Sequence, residues 1–543
     1  MINKMKYLLI GSPLPNEMMS EKRLNKVRAL AAFSPDALSS VAYANQEIYL
    51  GLVIAGSAGL SFQFPIAVGI TVLLGIVALS YAQTIRGYPS GGGSYVVARE
   101  NLGTLPGLIA GGALLLDYIL TAAVSLTAGV AAISSAFPEL WPHRIWIALG
   151  LLAVIALFNL RGIRESGTAM AVPVYLFLFS FLGMLLYGLF RAIAQGAPTP
   201  LAAVSPAAFE PLSIILIMHA FSAGCTALTG IEAISNGVTA FKPPEWVNAR
   251  KTLIVMAVLM AFLFAGSIGL TQFFGVTAAP GETILSALAR HLFGAGFPYY
   301  VVQFSTLAVL AVAANTSYAG FPRVVAILAQ DKFMPRQLFN VGDRLVFHNG
   351  ILLLSAVTAF LIIVFNGDSH ALVPLFAVGA FTAFTLSQAG MVIHWFRKKE
   401  AGWQMKAITN GVGALVTFTA LIVIAISKFA QGAWISVLVI PAFVILFLQI
   451  RSHYRSVSSQ LSLRGLPPSL RPFPKPRVVV PVSGVHRAMV DAINLARSIS
   501  DQVTGVYIDI NPEPDEAELR RRWELWFPDI KLEIIPSPYR SVV

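Results

Sequence analysis

Twelve stretches of about 20 apolar residues follow one another through the first 450 positions of the chain. Hydrophobic residues make up 56% of the 543 residues and charged residues only 12%, a balance that excludes a soluble globular protein of this length. We therefore predict an all-α polytopic membrane protein with twelve transmembrane helices. The predicted spans are 30–54, 64–87, 105–134, 144–160, 168–192, 213–240, 252–276, 298–328, 350–365, 371–396, 409–427 and 432–450.

Basic residues in the connections predict the orientation of these spans. The positive-inside rule assigns the loops rich in Lys and Arg to the cytoplasm, and an even number of spans then puts both termini there. The net charge of +12 reflects this topology and contact with anionic lipid, and it does not indicate nucleic-acid binding. The basic residues of the alternate loops are Arg86, Arg99, Arg161, Arg164, Lys242, Arg250, Lys251, Lys332, Arg336, Arg344, Arg397, Lys398, Lys399 and Lys406.

The composition changes after the last span and divides the chain into four parts. We predict a cytoplasmic N-terminal segment (1–29), a transporter domain (30–452), a linker (453–476) and a small cytoplasmic α/β domain (477–543). In the last part, strand patterns at 478–482, 503–508 and 532–535 alternate with helical patterns at 488–498 and 516–526. Roughly 65 residues is short for an independent domain. Either a second protomer completes it or the chain is cut short.

An aspartate lies inside the first apolar stretch, directly after a proline. Pro35 removes a backbone donor and disfavours helical geometry at Ser34, so the first span is predicted to be two half-helices. An ionisable group at membrane depth is costly and therefore indicates function. Asp36 beside freed backbone groups is typical of a cation carrier.

The sixth span carries a similar interruption, in which small and polar residues at 226–231 precede Glu232. Interrupted spans five apart are typical of a 5+5 inverted repeat whose substrate site lies between the two breaks. We therefore predict that spans 1 and 6 meet at the substrate.

The third span adds oxygen atoms at helical spacing. Asp117, Thr121 and Ser125 stand at i, i+4 and i+8 on one helical face. Tyr43 lies about two turns beyond Asp36 on the same half-helix and can add a phenol oxygen. Hydroxyls, carbonyls and one or two carboxylates are the ligands that suit a small alkali cation.

Asp36, Asp117 and Glu232 are the three acids predicted near the bilayer centre, with no Lys or Arg close to them in sequence. At least one is expected to hold a proton at rest, and a carboxyl that exchanges its proton as the cation moves would make the carrier a proton symporter. Any single acid can instead be a packing element bonded to a neighbouring hydroxyl. Three such acids favour function, since each unpaired charge costs a few kcal/mol.

Enzymatic activity is not predicted. The glycine-rich residues 86–95 lack the preceding strand and the Gly-Lys-Ser/Thr sequence of a phosphate loop, so we interpret them as a cytoplasmic turn or gate. His219 and His394 lack ligand-spaced partners, and the tail shows no catalytic or metal cluster.

Five motifs resemble one transporter superfamily. With them the chain resembles the amino acid-polyamine-organocation superfamily and, more closely, the KimA-type potassium importers of the KUP group, over nearly its whole length. The motifs are Asp-Ala-Leu-Ser-Ser-Val-Ala-Tyr at 36–43, Tyr-Pro-x-Gly-Gly-Gly-x-Tyr at 88–95, Leu-Asp-Tyr-Ile-Leu-Thr at 116–121, Cys-x-Ala-Leu-Thr-Gly-x-Glu-Ala-Ile-Ser-Asn at 225–236 and Ala-Ala-Asn-Thr at 313–316.

This resemblance implies a LeuT-type fold, a homodimer and proton-coupled potassium uptake across the plasma membrane. In that family a tyrosine of span 10 also faces the ion path, and this chain has Phe376 there, a gate candidate without the phenol oxygen. The family's tail resembles a universal-stress-type domain that binds cyclic di-AMP as an inhibitory signal, although this chain stops partway through it. The implied ion-site residues are Asp36, Tyr43, Asp117, Tyr118, Thr121, Ser125, Thr229 and Glu232.

Two other functions stay open at this point. An amino acid/proton symporter of the same fold binds its substrate carboxylate at the two breaks, where Asp36 would repel it. An amine or polyamine substrate would tolerate Asp36 and Glu232. The second other function is a receptor with the shape of a transporter, in which the membrane part senses an ion and the tail signals.

Overall fold

The computed structural model describes residues 24–89, 91, 93–162, 170–199, 208–279, 281–342, 346–462, 475–509 and 516–536. It divides the chain into two units, residues 1–460 and 461–543, and each is described by itself. Residues 1–23 of the predicted N-terminal segment and 463–474 of the predicted linker lie outside the described residues. So do Ser90 and Gly92 of the glycine-rich motif and the loop residues Arg164 and Arg344.

The first unit is helical, as its apolar stretches require, because a helix satisfies its backbone groups internally. Ten of the described helical segments are long and apolar enough to cross a membrane, and the chain is a multi-pass membrane protein. In chain order the helices are α1 (Lys26–Phe33), α2 (Pro35–Val53), α3 (Gly56–Leu60), α4 (Gln63–Gly87), α5 (Gly93–Leu102), α6 (Thr104–Ala136), α7 (Arg144–Leu160), α8 (Ala171–Gln195), α9 (Ile214–Gly224), α10 (Ala233–Asn236), α11 (Glu245–Phe274), α12 (Ile284–Phe293), α13 (Phe297–Gln330), α14 (His348–Val364), α15 (Ser369–Lys398), α16 (Trp403–Ser427) and α17 (Ala433–Gln460).

The described residues of every predicted span fall largely on helix, with residues 168 and 169 of the fifth span outside the described residues and the sixth span interrupted. Ten of the twelve coincide with the long apolar segments. The other two fall on α1 with α2 and on α14, which has 17 residues. The helical class is therefore confirmed, whereas the count of twelve crossings and the 5+5 repeat stay predictions.

The interruption in the first span is narrow. Ser34 separates α1 from α2 with φ −97° and ψ −7°, and its N–H still donates to the carbonyl of Leu30 at 2.9 Å. The carbonyl of Ser34 accepts from Leu38 at 2.8 Å. Pro35 has no N–H and cannot donate to the carbonyl of Ala31, while both backbone groups of Ser34 stay bonded.

The interruption in the sixth span is wide. After α9 ends at Gly224, a 3₁₀ turn covers Cys225–Leu228, and Thr229 is extended with φ −67° and ψ 153°. Gly230 follows with φ +83°, a left-handed conformation that glycine adopts without strain. Helix resumes only at Ala233, so about two turns of backbone hydrogen bonding are replaced by irregular chain.

Helix α6 lies at the centre of this unit. It packs against α13, α15 and α5, and its side chains from Leu108 to Val130 are almost all buried. Gly379 of α15 allows a close approach, because a Cβ there would lie 3.2 Å from the carbonyl oxygen of Ala113 and 3.7 Å from the nitrogen of Asp117. The face of α6 that carries Asp117 is thus held inside the helical bundle.

The second unit contains a small parallel sheet in the order β1–β2–β3, with Val478 opposite Val503 and Thr504 opposite Lys531. The indole of Trp523 donates to the carbonyl of Ile530 at 2.8 Å, and the ring packs against Gly505, where a Cβ would meet it at 2.5 Å. The predicted alternation of strand and helix is confirmed. The elements are β1 (Val478–Val482), α18 (Arg487–Ile499), β2 (Val503–Asp509), α19 (Glu516–Trp526) and β3 (Lys531–Pro536).

Candidate ion-binding site

The two interrupted spans touch each other at their breaks. A Cβ built on Gly230 would lie 2.6 Å from the backbone nitrogen of Ala37 and 2.8 Å from the carboxyl carbon of Asp36. Gly230 therefore serves two needs, a left-handed turn and direct backbone contact with α2. The irregular chain of the sixth span lies beside the carboxylate of the first.

Asp36, Asp117 and Glu232, together called the acid cluster, lie close together although they come from three different spans. Their exposed fractions are 3%, 1% and 1%. The carboxyl groups of Asp117 and Glu232 lie within hydrogen-bonding reach of each other, and Asp36 lies near enough to act on Glu232 electrostatically. A hydrogen bond between two carboxyl groups requires a proton on one of them, because an ionised carboxylate is only an acceptor.

Each acid also keeps one oxygen without a protein partner. Oδ1 of Asp36, Oδ1 of Asp117 and Oε2 of Glu232 are buried and have no hydrogen-bond partner among the described residues. The backbone N–H groups of Gly230 and Glu232 donate to the Glu232 carboxyl group. Buried oxygens without partners are costly unless something binds them.

Hydroxyl groups surround the acid cluster. Thr121 is 2% exposed, and its Oγ1 has no partner among the described residues. Thr229 donates its hydroxyl to the carbonyl of Thr226 at 2.8 Å and meets the hydroxyl of Tyr43, which also contacts Ser40. Ser125 lies buried one turn beyond Thr121. The structure thus places Tyr43, Thr121 and Thr229 at or beside the acids.

Tyr118 lies at the edge of the site. It follows Asp117 on α6 and so points in a different direction around the helix. Its hydroxyl accepts from Nδ2 of Asn236 at 2.7 Å, and its ring packs against Gly320 of α13. Tyr118, Asn236, Gly320 and Asp36 line one cavity, which reaches Asp36 from the side of α1.

Phe376, the predicted gate, is fully buried in α15. It lies three residues before Gly379, where α15 approaches the backbone of Asp117, so both share one face of the helix. The side chain therefore lies about one turn from the level of Asp117. Its gating role stays a prediction.

Two polar residues of this region were not among the predicted ligands. Tyr81 of α4 is 1% exposed, its hydroxyl lies 3.2 Å from that of Ser94, and it is close enough to feel the charges of Glu232 and Asp117. Asn236 holds Tyr118 in place. A single tyrosine in an apolar span carries no spacing signal, so only the fold reveals Tyr81.

The donor set suits an alkali cation better than a transition metal. Among the described residues, no three His, Cys, Asp or Glu side chains come together closely enough to form a metal site by themselves. The oxygens of Asp36, Thr121 and Glu232, together with irregular backbone at 225–232, offer the carboxylate, hydroxyl and carbonyl ligands that potassium or sodium exchanges readily.

The comparisons with known proteins agree with this chemistry. A family model described as amino acid permease matches residues 25–449, and one described as the KimA potassium transporter C-terminal domain matches residues 474–543. The potassium transporter KimA of Bacillus subtilis is 43% identical over 546 residues, covering 100% of this chain and 89% of that protein. The low-affinity putrescine importer PlaP of Escherichia coli is 26% identical over 336 residues, covering 59% of this chain and 71% of that protein.

Proposed function

Because this chain belongs to the amino acid permease family and, over its whole length, to the KimA potassium transporters, we propose that it imports potassium with protons by alternating access. The observation that carries the proposal is the contact of the two breaks at Asp36 and Gly230, directly beside Glu232. Backbone groups freed from helix and a buried acid in one place are what a dehydrated cation requires. The relationship of this chain to known transporters supports a transport function and argues against an enzymatic one.

The potassium site in this proposal lies at the acid cluster and its hydroxyls. Carboxyl oxygens without partners bind the cation, and hydroxyls complete its shell. Tyr118 forms the wall of the cavity through which the ion leaves. The proposed ligands and wall residues are Asp36, Tyr43, Asp117, Tyr118, Thr121, Ser125, Thr229 and Glu232.

Proton coupling rests on the contact between Asp117 and Glu232. With a shared proton the pair carries one negative charge, and without it the two like charges repel in a region shielded from water. The shared proton thus leaves one negative charge at the pair, so the cation can bind while the proton is held and the two are carried together. Asp36, Asp117 and Glu232 are therefore the proposed proton carriers, with the last two acting as a pair.

The finer architecture belongs to the same proposal. We assign twelve crossings of the plasma membrane, a LeuT-type 5+5 inverted repeat and cytoplasmic termini in contact with anionic lipid. The match of residues 474–543 to a transporter C-terminal domain supports a universal-stress-like tail. Homodimer formation through this tail and inhibition by cyclic di-AMP are carried from the family resemblance.

A polyamine importer is the second candidate. The 26% identity to a putrescine importer favours it, and a protonated amine would pair with Asp36 and Glu232 as a metal cation does. An amino acid substrate fits less well, because its carboxylate would meet Asp36 at the break.

Uptake into liposomes tests both candidates. Purified protein is given an inside-negative potential and an inward proton gradient, and rubidium or labelled putrescine is supplied. We expect rubidium uptake that depends on the proton gradient and is lost in Asp36→Asn. The matched control is Glu210→Gln, an exposed acid, which should transport normally. Putrescine uptake without rubidium uptake would overturn the potassium assignment.

A further inference from the structure

A second group of charged side chains lies outside the acid cluster. It comprises Glu47 of α2, His219 of α9, His370 of α15 and Lys428, the residue after α16. Glu47 and Lys428 are 7% and 5% exposed. Buried charges of this kind persist only when they are paired, so the contacts among them need an explanation. These four residues are called the charge lock below.

Glu47 and His370 form the first pair of the charge lock. Nδ1 of His370 donates to the Glu47 carboxylate. Asp368 also faces this ring, and its Oδ1 accepts from the backbone N–H of His370 at 2.9 Å. The pair joins α2 to the start of α15 across 323 positions of sequence.

Lys428 and His219 form the second pair. Nζ of Lys428 donates to Nε2 of His219 at 2.8 Å and to Oε1 of Gln431 at 3.1 Å. Nε2 of His219 must therefore be an acceptor, and the ring proton sits on Nδ1, which faces the carbonyl of Ser427 at 3.3 Å. The ring is neutral in this arrangement.

Two residues of the charge lock share a span with the acid cluster but lie farther from the breaks, Glu47 on the helix of Asp36 and His219 on the span of Glu232. Glu47 is about 16 Å beyond Asp36 on α2, from a rise of 1.5 Å per residue. The cavity reaches Asp36 from the opposite direction, where Phe33 and Gly237 line it. The acid cluster thus has a cavity on one side and the paired charges of the charge lock on the other.

Neighbouring contacts close the same end. Oε1 of Gln46 accepts from the backbone N–H of Ile284, the first residue of α12. The hydroxyl of Tyr49 accepts from the backbone N–H of Ala278 at 3.1 Å. Gln46 and Tyr49 thus bond α2 to residues at and before the start of α12, while Glu47 between them bonds α2 to His370.

The electrostatics of the charge lock respond to protons. Burial lowers the pKa of Lys428 to about 8, while Glu47 opposes that change. A proton added to His219 would occupy Nε2, remove the acceptor of Lys428 and place two positive charges 2.8 Å apart. The added proton therefore weakens the contacts.

From this geometry we infer that Glu47, His219, His370 and Lys428 close the ion path at the end opposite the cavity and release it when a proton binds there. The inference rests on the proposed cation transport. While the contacts are closed, the ammonium group of Lys428 also repels a cation that approaches from that end. Protonation then opens the entry for the cation that travels with the proton.

A distance measurement across the charge lock tests this. Spin labels are placed at Leu50→Cys of α2 and Phe429→Cys beside Lys428, both exposed positions, in a Cys225→Ser background that removes the single native cysteine. Double electron–electron resonance is recorded in nanodiscs at pH 7 and pH 5.5. We expect one short distance at pH 7 and an added longer distance at pH 5.5.

Variants separate protonation of the charge lock from other effects of pH. His219→Gln keeps an acceptor for Lys428 but cannot gain charge, so the distance between the spin labels should stay short at both pH values. Lys428→Met should show the longer distance at both pH values. Lys406→Met removes a lysine near the start of α16, far along the helix from Lys428, and should behave like the wild type. Equal wild-type distances at the two pH values, or opening of His219→Gln at pH 5.5, would overturn the inference.

Rubidium exchange at equal pH on both sides supplies the functional readout. Loss of one charged hydrogen bond should speed exchange by Lys428→Met about tenfold at pH 7, where Lys428 is charged in the wild type. A wild-type rate in Lys428→Met would contradict a gating role. A wild type that exchanges no rubidium would instead refute the proposed function, while the distance measurement still decides whether the charge lock opens.

Discussion

The acid cluster and the charge lock balance their charges in opposite ways. Asp36, Asp117 and Glu232 place like charges together, with oxygens that lack protein partners. In the charge lock, Glu47 faces His370 and Lys428, and the cations have acceptors at His219 and Gln431. In the charge lock Glu47 and Lys428 are buried while the His370 side chain is 40% exposed, so the two groups differ in pairing and, at the histidines, also in depth.

This difference separates a binding site from a closed contact. Unpaired negative charge in low dielectric is stabilised by a cation or a proton, so the acid cluster is ready for ligands. A paired set gains nothing from a further cation, and it holds two helices together until one partner is protonated. Removal of a charge should therefore have opposite effects in the two regions.

The sharpest comparison uses one substitution in both regions. Glu232→Gln should lower rubidium uptake about a hundredfold, because a buried charged ligand is worth several kcal/mol. Glu47→Gln should keep uptake and speed exchange at pH 7, since it weakens only a closed contact. Uptake by each protein in liposomes measures both effects. Equal loss of rubidium uptake in the two variants would contradict the distinction between the acid cluster as a binding site and the charge lock as a closed contact.

Within the acid cluster, two threonines of α6 test whether an unpartnered hydroxyl is a ligand. Thr121→Val should weaken rubidium affinity about tenfold, the worth of one hydrogen-bond-like contact to a charge. Thr127→Val is the control, because the Thr127 hydroxyl already donates to the carbonyl of Ala123 at 2.9 Å. Half-saturation concentrations from uptake report the result. A larger effect at Thr127 would place the ion elsewhere along α6.

Alkaline pH should also weaken the charge lock, because it removes a proton from Lys428. Because the pKa of Lys428 lies at about 8, most of its amine is charged at pH 7 and neutral at pH 9, where its attraction to Glu47 is lost. Exchange in the wild type should then rise about threefold from pH 7 to pH 9, from roughly 1 kcal/mol of charge interaction. Lys428→Arg stays charged and should show no rise. A rise in both proteins would assign the alkaline effect to another group.

The smallest expected change is at Phe376. Phe376→Tyr adds a phenol oxygen about one turn from the level of Asp117, and it should tighten rubidium binding about twofold. Phe381→Tyr in the same helix is the control, because the Phe381 ring packs against Phe384 at 5.6 Å and is fully buried. Unchanged affinity in Phe376→Tyr would exclude this side chain from the ion path.

The helices and the two breaks were predictable because their causes are local. Apolar runs of span length specify helix, Pro35 removes one donor, and Gly230 permits a left-handed turn. The break at Pro35 is narrower than the predicted separation into two half-helices, since the N–H and the carbonyl of Ser34 both keep their hydrogen bonds. Its main contribution is to place Asp36 at the start of α2.

Hydropathy and backbone chemistry act within a few residues, so the order of amino acids was enough to predict a multi-pass helical protein with acids at two interruptions. The contacts between groups distant in the chain could be seen only in the folded protein. Lys428 reaches His219 across 209 positions, and Tyr81 lies near Glu232 without any motif that relates them. Such contacts depend on how whole helices pack, and no periodicity along a single helix records that packing.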